Sequence, residues 1–284
     1  MKIFISIDME GIAGTFNWDQ EDSHTERNFI RRWMRKQVEW VIKGLHESPK
    51  NDKVEEILIA DSHNGGDNLE YDITELDNRL YLISGTPRPQ YMMAGLDKSF
   101  DMVFLLGYHA GVGTVNASMD HTFSNSTIHN IWINDIPMNE TLLNAAYAGY
   151  FEIPVTLITG DIALKQQLDE MKMLNEAEFV VNKEALGRFA AKHYPMELLE
   201  KRTKEAVVCV LGKDPNDFPV FDFKAGYDNP IVLKIAFNKT EMADLVQLMP
   251  FVKRLDARTV EFKDHHYKTV YNAVEAISKM AKPE

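Results

Sequence analysis

Asp8 and Glu10 stand one residue apart at the end of the apolar run Ile3-Phe4-Ile5-Ser6-Ile7, and Gly11 follows them. A run of this kind that stops at a turn signal reads as a buried strand. Residues two apart on a strand share a face, so both carboxylates are expected to point the same way. They repel one another unless a cation lies between them, and a divalent metal ion meets that need. Asp61 and His63 follow a second apolar run, Val54 to Ala60, and His109 follows a third, Met102 to Leu106. His121 lies in the polar loop beyond, and Glu140 comes just past the turn Asn134-Asp135-Ile136-Pro137. Carboxylates and imidazoles without thiolates match the ligands of zinc or manganese. Shared by two ions, Asp8, Glu10, His63, His109 and Glu140 would leave positions for water on each, as a catalytic centre requires. Each residue alone has a plainer reading. Asp61-Ser62-His63 can be a hydrogen-bonded turn, Glu140 a carboxylate favoured by a helix N-terminus, and His121 one more surface polar residue. Their common position, just past strands or the turns that follow, is what points to a site.

For these residues to meet, the strands must lie side by side with their carboxyl ends along one edge, where open parallel sheets bind ligands. The chain supplies such strands in alternation with helices. Glu26 to His46 carries Phe29, Ile30, Trp33, Met34, Val38, Val41, Ile42 and Leu45 at helical spacing, and the strand–helix–strand order predicts a parallel pair with a right-handed crossover. Leu80 to Ser84, Ile128 to Ile133 and Val155 to Thr159 read as further strands, Tyr91 to Leu96 as the start of a short helix, and Glu140 to Phe151 as a helix. Gly14 to His24 reads as a loop. This is the pattern of an α/β protein with a mostly parallel sheet. The character changes near residue 185. Leu186 to Leu211 reads as mostly helical with a break at Tyr194-Pro195, Pro215 to Pro230 as a connector, and the remainder as mixed strand and helix. The expected organisation is a metal-binding α/β domain over 1–185 and a smaller α+β domain over 186–284.

Composition narrows the class. The 284 residues carry a formal net charge of −12, which argues against nucleic acid and against anionic membranes as partners. No apolar run approaches the ~18 residues of a membrane span, and no charged leader precedes an apolar segment, so a cytoplasmic protein is expected. The single cysteine, Cys209, excludes an internal disulfide framework, and its apolar neighbours suggest core packing.

Ser6-Ile7-Asp8-Met9-Glu10-Gly11 resembles the opening S-x-D-x-E-G motif of the M55 peptidases, zinc-dependent D-aminopeptidases. The resemblance continues, in order, through Asp61-Ser62-His63, Gly107-Tyr108-His109-Ala110, Ile133-Asn134-Asp135 with Glu140 and Asn144, Ala148-Gly149-Tyr150 and Thr159-Gly160-Asp161. A looser echo follows at Lys183 and Gly187-Arg188-Phe189. The resemblance implies a Rossmann-like α/β/α domain with a smaller second domain, and a homo-oligomer, a decamer of two stacked pentamers. It implies two divalent ions per chain, zinc first, although nitrogen and oxygen ligands suit manganese or cobalt as well. Asp8 would bridge the ions, Glu10 and His63 would complete one site, and His109 and Glu140 the other. His121 falls on the family's proposed catalytic histidine. The implied activity is hydrolysis of N-terminal, D-configured residues from short peptides by metal-activated water. Departures at Gly111 to Ala117 and at Ile162, where an acidic residue is expected, bear on substrate preference. The residues themselves also admit another two-metal hydrolysis, of a different amide or a phosphoester, or metal-dependent peptide binding without turnover. No Gly-rich phosphate cradle is present, and Arg88 and Arg188 are the arginines left to place.

Overall fold

Strand β1 (Lys2–Ile7) is buried on both faces beyond its first residue, which is the condition of a central strand in a parallel sheet. The computed structural model describes residues 1–21, 24–226 and 228–282. Asp22 and Ser23 of the expected loop, and Tyr227 of the expected connector, lie outside them. Helix α1 (His24–Glu47) crosses from β1 to β2 (Glu56–Asp61), and β3 (Leu80–Ile83) extends that side of the sheet. The chain then returns past its starting strand. β4 (Met102–Tyr108) pairs with the other edge of β1, and β5 (Ile128–Ile133), β6 (Ile136–Pro137) and α2 (Glu140–Gly149) intervene before β7 (Val155–Asp161). Helix α3 (Ile162–Met171), β8 (Glu178–Gly187) and β9 (Ala190–His193) complete the first sheet, ordered β3-β2-β1-β4-β7-β8-β9. It is parallel except for the β8–β9 hairpin. The growth direction reverses between β1 and β4, so that pair forms the switch point where such sheets bind ligands.

Alternation along the strands feeds two cores. Ile3, Ile5 and Ile7, with Phe104 and Leu106, face Ile30, Met34, Val38 and Val41 of α1. Helix α4 (Met196–Gly212) adds Val207, Val210 and Leu211 to the same core. Phe4, Val103 and Leu105 face the other way, against Leu142, Leu143 and Ala146 of α2. Behind α2 stands a second, antiparallel sheet built from β5 and β6 together with β10 (Ile231–Phe237), β11 (Lys253–Arg254) and β12 (Thr259–Asp264), ordered β11-β12-β10-β5-β6. Helices α5 (Thr240–Val246) and α6 (Tyr267–Met280) pack on it. Asn134 and Asp135 link β5 to β6 with φ values of +50° and +66°, the left-handed pair that a two-residue hairpin turn demands.

The α/β class and the mostly parallel sheet are as expected. Residue 185, where the sequence changes character, falls inside β8, and the second sheet draws β5 and β6 from before it and β10 to β12 from after it. Two local expectations fail. Residues 186–193 form the β8–β9 turn and strand rather than helix, because nothing amphipathic begins until Met196, with Pro195 as the helix N-cap. Cys209 is exposed, and its thiol donates to Glu178 Oε1 at 3.1 Å. On α4 the neighbours that enter the core, Val207, Val210 and Leu211, lie about 100° per residue around the axis, and Cys209 sits outside their arc. Tyr91 to Met93 is a single 3-10 turn.

Candidate metal centre

The peptide after β1 turns sharply onto β4. Asp8 N donates to Leu106 O at 2.8 Å, and Gly11 N donates to Gly107 O at 2.7 Å. Side chains are excluded from this crossing. A Cβ on Gly11 would lie 1.8 Å from the Tyr108 carbonyl oxygen, and Gly107 has φ of +72° besides facing the Asp8 carbonyl. The strand ends at Ile7, so turn geometry rather than strand alternation brings both carboxylates of Asp8 and Glu10 to one side.

His63 reaches them from the end of β2, with Nδ1 3.2 Å from Asp8 Oδ1 and 2.9 Å from Glu10 Oε2. His109 arrives from β4. Its Nδ1 donates to Ala110 O at 2.9 Å, which leaves Nε2 aimed at Asp8 Oδ2 and Glu140 Oε2, 3.6 and 3.4 Å away. Glu140 opens α2, capped by Asn139, whose Oδ1 accepts from Leu142 N at 2.8 Å. The other Glu140 oxygen accepts the Phe123 amide at 2.6 Å. His121 stands beside the group, its Nε2 3.8 Å from Glu10 Oε1 and 3.5 Å from Glu140 Oε1, and its Nδ1 bonds Met119 O at 2.9 Å.

These ligand atoms fall into three overlapping sets: Asp8, Glu10 and His63; Asp8, His109 and Glu140; and Glu10, His109 and His121. Within each set the donors lie no more than 4.8 Å apart. Asp8 Oδ2, Glu10 Oε2 and His109 Nε2 are buried and have no hydrogen-bond partner among the described residues. Buried polar atoms are costly when unpaired, so lone pairs that converge in this way fit cations held between them. Without a metal, protons take part of that role. Burial, then the neighbouring Glu10 charge, raises Asp8 to about 7. His109 rises to about 10: burial opposes its charge, but Glu140, Glu10 and Asp8 outweigh it. Burial also works to raise Glu10, yet His63, His121 and His109 hold it well below the usual carboxylate range. The cluster carries an excess of negative charge that protons offset only in part.

Every residue expected in the centre from sequence is brought together here except Asp61, which is buried at the end of β2 and accepts from the Asn68 and Leu69 amides at 2.6 and 2.8 Å. Both unplaced arginines are engaged elsewhere. Arg88 donates to the carbonyls of Tyr91, Gly85 and Ser62, and Arg188 pairs with Asp120 at 3.0 Å. Sequence reasoning missed Trp18, whose Nε1 donates to Glu10 Oε1 at 2.9 Å and whose ring meets His121 edge-on. Lys183, named in the sequence only as part of the looser family echo, is fully buried and donates to the carbonyls of Glu10 and Thr15 at 2.5 and 2.6 Å. Only the Asn139 cap had a local signal, an Asn directly before a helical pattern. Asp8, Glu10, His63, His121 and Glu140 line a cavity of about 370 Å³ that Trp18, Tyr91, Phe123 and Lys282 also border.

The family model for the M55 peptidases, described as D-aminopeptidase, matches residues 1–276. A D-aminopeptidase of Bacillus subtilis (strain 168) is 29% identical over 291 aligned residues, covering 99% of this chain and 98% of that one. Among solved structures, the Zn-dependent D-aminopeptidase DppA from Bacillus subtilis, a self-compartmentalizing protease, superposes with a TM-score of 0.86 at 28% identity, covering 99% of this chain and 98% of that chain.

Proposed function

The chain belongs to the M55 peptidases, the D-aminopeptidase family, and from that premise we propose that it hydrolyses N-terminal D-residues from short peptides at a centre of two zinc ions. Asp8, with one carboxylate oxygen toward His63 and the other toward His109, would bridge the pair. Glu10 and His63 would complete one ion's ligands, and His109 and Glu140 the other's. The observation that carries this reading is the convergence of unpartnered, buried lone pairs on Asp8, Glu10 and His109. When bound, the ions supply Lewis acidity and lower the pKa of water toward about 7.

The rest falls to the protein's own groups. Met119 O takes the Nδ1 proton of His121, so Nε2 presents a lone pair to the cavity. Burial, then the facing His109, keeps His121 below the ordinary imidazole value, so the neutral base prevails near pH 7. It can therefore accept a proton during attack and return it to the leaving amine. Trp18 fixes Glu10 from one side while covering His121. The acidic wall favours a substrate that enters with a cationic amine. A phosphoester reading is less well supported, since no arginine borders the cavity among the described residues.

The solved relative is described as self-compartmentalizing, and we propose for this chain the decamer of two stacked pentamers, working in the cytoplasm. Among the described residues, no helix is long and apolar enough to cross a membrane. The test is elemental analysis together with hydrolysis of D-Ala-D-Ala and L-Ala-L-Ala, on wild type and Glu10→Ala. About two zinc per chain and D-selective turnover, both lost in the variant, are expected. Zinc-replete protein inert toward D-peptides would refute the substrate assignment.

A further inference from the structure

Next to the candidate ligands runs a second set of buried polar residues. Ser6 lies two residues before Asp8, Ser62 directly before His63, Tyr108 directly before His109, and Asn144 one helical turn after Glu140. All four are fully buried. They form one connected run. Tyr271 Oη, from α6, donates to Asn144 Oδ1 at 2.5 Å, and Asn144 Nδ2 donates to Tyr108 Oη at 2.7 Å. Tyr108 Oη lies 2.6 Å from Ser6 Oγ, which lies 2.6 Å from Ser62 Oγ, and both serines reach Met92 O at 2.9 Å. Because Asn144 donates to Tyr108, the tyrosine proton is directed to Ser6, and the two serines share one proton between their oxygens while the other goes to a backbone carbonyl, Met92 O or Ala60 O. Every hydroxyl has an acceptor for its proton, and the run is fully satisfied.

We propose that this run is the positioning network of the metal centre, fixing the ends of β1, β2, β4 and α2 against one another so that Asp8, His63, His109 and Glu140 converge. The inference rests on the metal reading of the site. Apolar packing alone leaves small sliding motions between a strand and a helix nearly free, whereas a hydrogen bond is lost over a fraction of an ångström. A metal pair shared by several elements needs that tighter control. Stability does not require these groups, since apolar residues of similar volume would fill the same core without the cost of burying hydroxyls. Each polar member instead sits within a turn of a different ligand. Glu10, the remaining ligand, lies outside the run and is held separately by Lys183 and Trp18.

The test compares Tyr108→Phe with wild type and with Phe104→Leu, a variant of the same strand that faces the opposite core. Zinc affinity is read by competition with a chromophoric chelator, thermal unfolding by calorimetry of the metal-free protein, and kcat and KM at saturating zinc. Tyr108→Phe is expected to weaken zinc binding about 10–100-fold and to lower kcat with KM little changed. Phe104→Leu is expected to lose thermal stability and keep its zinc affinity. If Tyr108→Phe does not fold, Tyr271→Phe at the far end of the run is read in the same way. Zinc affinity equal to wild type in the hydroxyl-deleted protein would overturn the proposal, as would equal loss in Phe104→Leu. Wild-type protein that takes up no zinc would overturn the parent reading, and the network role with it.

Discussion

His121 lies flat against His109, with ring centroids 4.3 Å apart and planes 5° from parallel. Two imidazoles in that contact cannot both carry a proton cheaply. Without metal, Glu140, Glu10 and Asp8 favour the charged form of His109 against its burial, while burial and that neighbouring charge hold His121 toward the neutral one. One ring is thereby suited to ligation and the other to proton transfer, one at the end of the buried strand β4 and the other in the polar loop beyond it.

Removing that proton carrier should separate chemistry from metal binding. His121→Gln is expected to lower kcat about 10²–10⁴-fold while zinc content by elemental analysis stays at the wild-type level. Zinc lost in step with activity would show that His121 is a ligand, a role its place in one of the three donor sets allows.

Metal should also stabilise the fold, because its ligands are spread over β1, β2, β4 and α2. Binding confined to the native state adds roughly 3 kcal/mol when free zinc is a hundredfold above its Kd. Stripping with a chelator is therefore expected to lower Tm by several degrees, and adding zinc back should restore it. Scanning calorimetry at one protein concentration checks this, and an unchanged Tm would argue against a native centre that spans these elements.

The β1–β4 crossing offers a steric test. Gly11→Ala would place a methyl group 1.8 Å from the Tyr108 carbonyl oxygen, so the two strand ends must part. A destabilisation above about 3 kcal/mol is expected, read as insoluble expression or a large fall in urea midpoint. A well-folded, zinc-binding Gly11→Ala protein would mean that the turn has room the geometry denies it.

Acid sensitivity has one clear source away from the centre. Arg79, through Nε and Nη2 at 2.8 and 2.6 Å, and His46 at 2.7 Å bond both oxygens of Asp77. Arg79, first among these, holds the Asp77 carboxyl well below its ordinary value. A depressed carboxyl contributes its full stabilisation above the unfolded-chain pKa near 3.9 and loses it as pH falls toward the folded value. Asp77→Asn should therefore be less stable than wild type at pH 7, and the gap should shrink as pH falls below about 4. Urea unfolding across that range measures it; a gap that stays constant would exclude the ion pair as its cause.

Much of the centre could be read from sequence because it lies where apolar runs stop. His63 and His109 follow β2 and β4 almost directly, and a parallel sheet needs no further information to bring such ends together. Glu140 was less direct: its strand belongs to the other sheet, and it reaches the site through the Asn139 cap and the packing of α2. Trp18 had no local signal at all, and Lys183 only its place in the looser family echo. Trp18 comes from a loop with no periodicity, and Lys183 sits in a strand whose neighbours look like an ordinary edge. Residues 186–193 misled because short Ala-rich segments favour helix by propensity, while pairing with β8 decided the matter. Cys209 misled because a continuous apolar run hides the helical face that turns outward.

The antiparallel partnership of β5 with β10 joins residues about a hundred positions apart, and it sets an order of events at the ribosome. Until residues 231–237 have left the exit tunnel, β5 has only the short β6 beside it, and α2 lacks the sheet behind it. Glu140 is thus the ligand whose supporting sheet depends on residues made long after Asp8, His63 and His109. A nascent chain can build the Asp8–His63 side early, but the complete centre must await nearly the whole polypeptide. The wiring of the second sheet thereby ties the backing of α2, and of Glu140 on it, to a late part of the chain.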